Sequence, residues 1–258
     1  MPRRAREKSN TGIYHIMMRG INRQEIFHEE EDYQRYIETL QRIILESEAD
    51  LLGYCLMDNH THLLIKENVK AISHIIKRLG ASYAWWYNWK YERSGHVFQD
   101  RFRSEKVEEE SYLLLVIRYI HQNPVKVGIV DKPEEYRWSS CSAYYDKEEN
   151  TQGFNQTKII FEQLSEDKDI ARKKFMEYME EENDDHQCLD DRKPRRASDE
   201  VVRSKIKIIM EERPFNSLQH MEKAERNRTI RKIKEIEGIS LRQIARITGL
   251  NLKMVYKA

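Results

Sequence analysis

Two strand-like runs, residues 51–57 and 60–66, are separated only by Asp58-Asn59, and this junction constrains the fold more than any other feature of the sequence. A polar dipeptide suited to a tight turn, set between two such runs, commits them to an antiparallel hairpin. Other elements surround it. Residues 11–19 read as a strand, with Gly20, Asn22 and Arg23 in the loop after it. Residues 32–48 read as an amphipathic helix with Tyr36, Ile37, Leu40, Ile43 and Ile44 on its apolar side. A long helix is expected over 72–89, and residues 101–107 alternate with period two. Residues 112–122 form an almost wholly apolar helix, predicted to stop at Asn123-Pro124 because proline disfavours helix at the residue before it.

The order is therefore strand, helix, strand, strand, helix, strand, helix. That is the split βαββαβ pattern of an α+β, ferredoxin-like antiparallel sheet, with its helices expected on one face. Past about residue 146 apolar aromatics give way to Lys- and Glu-rich sequence. The expected division is a basic arm at 1–10, a main domain at 11–146, a helical and linker region at 147–198, and a helical C-terminal unit at 199–258. Within the last, residues 240–256 read as two short helices separated by Gly249. The spacing of Ile244, Ala245, Gly249, Leu250 and Val255 is that of a helix-turn-helix, although an ordinary helical hairpin shares much of it.

Composition narrows the class. With 34% charged and 39% hydrophobic residues and a net charge of +1, the chain reads as a highly charged globular protein and not as a basic tail. Charge runs do occur. Arg3, Arg4, Arg6 and Lys8 crowd the start, Arg192, Lys193, Arg195 and Arg196 form a second basic run, and residues 180–191 are acidic. Such runs are usually solvated segments, with phosphate binding the sharper reading. The three cysteines, Cys55, Cys141 and Cys188, include no C-x-x-C pair, which points away from a disulfide framework or a cysteine zinc site and fits a reducing cytoplasm. No apolar run approaches the roughly 20 residues a membrane span needs, so no membrane partner is expected.

Residues two apart in a strand share a face, so His60 and His62 present their imidazoles side by side, placed to share one divalent ion. In the apolar helix, Tyr112, Val116, Tyr119 and Asn123 fall on one stripe. Each feature has a plainer reading: exposed polar strand residues for the histidines, a core side chain for the tyrosine, a helix stop for Asn123-Pro124.

Resemblance separates these readings. Met57-Asp-Asn-His-Thr-His-Leu-Leu-Ile65 together with Arg118-Tyr-Ile-His-Gln-Asn-Pro-Val-Lys126 resembles the paired signatures of the REP-associated tyrosine transposases, a branch of the single-tyrosine HUH insertion-sequence transposases. Tyr14 through Gln24 with Ile26-Phe27, Gly95 through Ser104, and Trp138-Ser-Ser140 resemble further blocks of that family, and the likeness spans about residues 11–145. The resemblance implies that His60 and His62 bind a catalytic Mg²⁺ or Mn²⁺, that Asn123 completes the site, and that Tyr119 is the nucleophile. Thr61 departs from the hydrophobic residue between the family's histidines. His121 and Gln122 are also polar and adjacent, so the third ligand stays open among the three, and Pro124 is placed to turn Asn123 off the stripe.

The implied chemistry fits these residue types. A metal withdraws charge from a phosphodiester and fixes it in line, and a tyrosine, whose phenol has an ordinary pKa of about 10, needs a nearby cation to favour its phenolate. The implied partner is single-stranded DNA, with hairpins, bound by a cationic and aromatic surface. Arg19, Arg23 and Arg103 are the candidate phosphate or hairpin contacts. Trp86 is expected in the core, while Trp85 and Trp89 are freer to stack. Asn251, Lys253 and Tyr256 begin the recognition helix of the helix-turn-helix, for contact with duplex DNA. The family allows monomer or homodimer. The main alternative is a domesticated sequence-specific DNA-binding regulator without cleavage activity. A relaxase is disfavoured by the single-tyrosine block, and an RNA-binding ferredoxin-like module by aromatics concentrated on a helix.

Overall fold

A computed structural model describes residues 7–99, 101–145, 157–181, 188, 199–210, 213–215, 217–236 and 239–258. The basic runs at 3–6 and 192–196 lie outside them. The chain divides into two compact units, residues 1–189 and 190–258.

In the first unit, β1 (Ile13–Arg19), β2 (Asp50–Met57), β3 (His60–Lys66) and β4 (Arg103–Lys106) form one sheet in the order β2-β3-β1-β4, with every neighbouring pair antiparallel. Helix α1 (Glu30–Glu46) joins β1 to β2, and α2 (Ile72–Lys90) joins β3 to β4. This is the ferredoxin-like βαββαβ topology. Met57 pairs with His60, so Asp58-Asn59 is the two-residue loop of the hairpin.

One face of the sheet carries Ile16, Leu56, Leu63 and Ile65, covered by Tyr36, Leu40 and Ile43 of α1 and by Ile75, Leu79, Tyr83 and Trp86 of α2. The start of α1 is tied to the end of α2. Asp32, fully buried, accepts hydrogen bonds from Lys90 Nζ at 2.7 Å and from Tyr91 Oη at 2.7 Å. Burial would pull the Lys90 ammonium's pKa down, but its hydrogen bonds to Asp32, Glu29 and Glu31 outweigh that and raise it, so the cluster stays ionic. On α2, Trp86 is 7% exposed, whereas Trp85 and Trp89 are each 70% exposed, as their helical positions require.

The helices do not all lie on one face, as the sequence had led us to expect. Helix α3 (Glu110–Lys126) packs on the opposite side, with Leu113, Val116, Ile117 and Ile120 against Ile13, Leu52 and Leu64. The physical reason is that β1 to β3 are apolar on both sides, so each face needs a cover. Close approach of α3 is licensed by Gly53 in β2, where a Cβ would stand 2.2 Å from Ile117 Cδ1. Helix α3 also continues through Asn123-Pro124 to Lys126. Pro124 lies in the last turn, where the missing N–H removes one backbone bond, and its ring is buried. The same layer is completed by α4 (Ser142–Tyr145), α5 (Thr157–Phe161) and α6 (Lys168–Glu180), which contribute Tyr144, Ile160, Phe161, Phe175 and Met179.

The second unit contains α7 (Asp199–Ile209), α8 (Ser217–His220), α9 (Lys223–Lys234), α10 (Leu241–Thr248) and α11 (Leu252–Lys257) around a core that includes Val202, Ile206, Ile230, Ile233, Ile244 and Val255. Helices α10 and α11 meet at Gly249, as their sequence spacing foretold. Among the described residues, no helix is long and apolar enough to cross a membrane.

Candidate active site

The period-2 geometry of β3 sends Thr61, Leu63 and Ile65 into the layer under α1 and α2, and turns His60, His62 and Leu64 toward the layer under α3. Thr61 is satisfied on its own side, sharing a hydrogen bond with Tyr36 Oη at 3.1 Å. Its polar character therefore leaves the histidine face untouched. Strand β1 runs beside β3, and the register sets Met17 opposite His62 and Arg19 opposite His60. His15, Met17 and Arg19 thus share the face of the two histidines, and Arg103, opposite Met17 on β4, joins them.

Helix α3 brings Tyr119 onto this face. Its ring, only 6% exposed, stands edge-on to His62 with centroids 5.5 Å apart and planes at 83°. His60 is edge-on to His62 at 5.1 Å. The ammonium of Lys126 lies 5.1 Å from the centre of the Tyr119 ring, close enough for a cation–π attraction.

Asn123 follows Tyr119 by one helical turn, and its amide nitrogen donates to the Tyr119 carbonyl at 2.8 Å, so its amide oxygen is the atom that could meet an ion. The other two polar residues are turned elsewhere. His121 is buried, with Nε2 2.8 Å from Ser140 Oγ, and Gln122 donates to the Met179 carbonyl at 2.7 Å. Although α3 runs on through Pro124, Asn123 keeps the stripe of Tyr119.

The two imidazoles are held in a way that suits metal binding. His60 Nδ1 is 2.6 Å from Asn59 Oδ1, and His62 Nδ1 is 3.0 Å from Nε2 of His15. Metal-binding histidines are oriented in this manner, one ring nitrogen engaged by a neighbour and the other presented to the ion. Burial, reinforced by the nearby His60, His15 and Arg19, holds the pKa of His62 well below its ordinary value, so the ring is neutral and has a lone pair to give. Among the described residues no three His, Cys, Asp or Glu side chains form a metal cluster. An ion here would take two imidazoles, an amide oxygen and phosphate or water oxygens, a donor set compatible with Mg²⁺ or Mn²⁺.

Sequence reasoning passed over His15 and Lys126. The strand period places His15 in phase with Arg19, but only the pairing of β1 with β3 reveals that it abuts His62. Arg23 is exposed in the loop after β1, at the edge of a depression lined also by Gln24, His28, Tyr87, Tyr91 and Arg93. Asn251, Lys253 and Tyr256 all lie in the second unit, exposed at the start and along the outer side of α11.

Fold and site together define a ferredoxin-like α+β domain whose sheet carries a histidine pair beneath a helix-borne tyrosine. Residues 8–123 match the family described as IS200-like transposase. That match supports a transposase-like, DNA-binding role for this segment. Among solved structures, a REP-associated tyrosine transposase bound to a REP hairpin is similar at 15% identity and a TM-score of 0.47, over 55% of this chain and 84% of that one. A transposase candidate from Deinococcus radiodurans R1 is similar at 16% identity and a TM-score of 0.34, over 43% of this chain and 91% of that one. No curated protein matches the chain.

Proposed function

We propose that the first unit cuts and rejoins single-stranded DNA, with Tyr119 as nucleophile and a divalent ion held by His60, His62 and Asn123. The observation that carries this reading is the packing of the Tyr119 ring against His62, with His60 beside it, in a segment that matches the IS200-like transposase family. The ion, Mg²⁺ or Mn²⁺, supplies charge withdrawal from the scissile phosphate.

The rest follows from the chain's own groups. Arg19 and Arg103 set positive charge beside the histidines on the same face, and Arg23 extends it along the loop, which favours a phosphate backbone there. The Tyr119 hydroxyl gives up its proton and its oxygen attacks phosphorus. As that bond forms, the bond from phosphorus to the 3′ oxygen breaks, and the 3′ oxygen takes up a proton. The products are a 5′-phosphotyrosine and a free 3′-hydroxyl. Attack by a 3′-hydroxyl of another strand reverses the exchange and releases Tyr119, and no external energy source is needed because one ester replaces another. Lys126, over the ring of Tyr119, adds a further positive charge beside the nucleophile.

The test incubates the intact protein with Mn²⁺ and labelled hairpin-bearing single strands drawn from DNA flanking its gene, and resolves the products on a denaturing gel. A protein–DNA adduct is expected with the native chain and none with Tyr119→Phe. Cleavage retained by Tyr119→Phe overturns the nucleophile assignment, and tight binding without any adduct favours the non-cleaving regulator.

A further inference from the structure

The net charge of +1 conceals a segregation. Residues 190–258 contain 18 Lys and Arg against 10 Asp and Glu, a net of +8, while residues 1–189 contain 27 against 34, a net of −7. The smaller unit is thus strongly cationic, the electrostatic footprint of a polyanion binder.

Its last two helices supply a shape for that charge. Ser240 caps α10, its Oγ accepting from Gln243 N at 3.2 Å. The helix ends at Gly249, whose φ of +71° is a left-handed value that a side chain would strain, so the chain turns sharply there. Asn251 caps α11, with Oδ1 accepting from Lys253 N at 2.9 Å, and Gln219 locks the turn by donating to the Gly249 carbonyl at 3.0 Å. Ile244, Leu250 and Val255 are buried on the inner side of the pair. Asp199 of α7 clamps α10 by accepting from Gln243 at 2.8 Å and from Arg246 at 2.7 Å. Helix α11 is therefore fixed on one side and presents the other, where Lys253, Lys257 and Tyr256 are exposed, Tyr256 by 70%.

We infer that residues 190–258 are a second DNA-binding unit that takes duplex DNA, with α11 inserted in the major groove. A short helix held by a preceding helix across a tight turn, with a cationic and aromatic outer side, has the form that reads base edges. Asn251 is committed to capping, so Lys253, Tyr256 and Lys257 carry the contact, and Arg242, exposed near the start of α10, is placed for the adjoining backbone. This inference stands apart from the chemistry of Tyr119 and concerns a different form of DNA.

The test selects binders from a random-sequence duplex pool with the intact protein in EDTA, which silences any metal chemistry. Affinity for the enriched duplex and for a single-stranded hairpin is then measured against the Lys253→Ala/Tyr256→Ala double variant. The expected result is an enriched duplex motif, a loss of at least about tenfold in duplex affinity, and hairpin affinity changed less than about twofold. Because both residues are exposed, an unchanged circular dichroism spectrum is expected and confirms that the variant is folded. No enriched motif, or equal duplex binding by the folded variant, overturns the inference. A concentration-dependent increase in mass that the double variant abolishes, without duplex binding, assigns this side of α11 to a protein contact and overturns it as well.

Discussion

His15 is fully buried, and one of its ring nitrogens meets His62. Burial pushes its pKa down to about 3, so it is neutral around pH 7. The tautomers follow. For His62 to offer Nε2 to an ion, its Nδ1 must bear the proton, and His15 Nε2 must accept it. His15 then carries its own proton on Nδ1, a buried atom for which the described residues provide no partner. An unsatisfied buried donor of this kind costs about 1–3 kcal/mol, a cost that the orientation of His62 explains. His15→Leu should therefore weaken Mn²⁺ binding by about tenfold or more while the melting temperature holds or rises. Titration calorimetry with Mn²⁺ beside a thermal melt checks both. Undiminished affinity would show that His15 only fills space.

At the scale of elements, the site depends on how closely α3 lies on the sheet. Gly53 is the point of contact, and its neighbours Ile117, Ser140 and His121 are buried. Gly53→Val should force α3 outward, cost about 1–3 kcal/mol by overpacking, and move Tyr119 away from His62. Urea unfolding reads the first effect and adduct yield the second, under conditions where the variant is fully folded. Retained stability with full adduct formation would show that the Ile117 side chain yields without moving the helix. The pairing of β1 with β3 is the other determinant. A slip of one residue would turn His60 and His62 into the core under α1 and α2 and bring Thr61 and Leu63 to the face of Tyr119.

At the scale of the whole molecule, buried neutral histidines couple stability to pH. His15 and His121, on opposite elements of one layer, are both pushed down to about 3 by burial, against an ordinary value of 6.5. Between those values the unfolded chain binds protons that the folded chain refuses. The stability they confer is thus complete above pH 6.5 and is lost as pH falls toward 3, at about 1.4 kcal/mol per pH unit for each histidine well inside that window. Urea midpoints measured from pH 7.5 to 5 should fall steadily, and His121→Asn should flatten the slope by about one histidine's share. Midpoints that do not move over that range would contradict the burial of these rings as neutral species.

Much of this was legible before any coordinates, and the reason is locality. The hairpin at Asp58-Asn59, the helical stripes of α1 and α2, the turn at Gly249 and the shared face of His60 and His62 depend on residues a few positions apart, where backbone period and turn chemistry act directly. The stop expected at Asn123-Pro124 failed because a proline in a final turn removes one bond, and packing of the buried ring offsets the loss. Lys126 reaches Tyr119 because α3 continues through Pro124 and sets the two residues two turns apart on one stripe. Which face α3 covers and how His15 meets His62, by contrast, involve strand pairing and helix docking. Those are choices among arrangements with similar local energies, and burying both apolar faces of the sheet at once selects one of them.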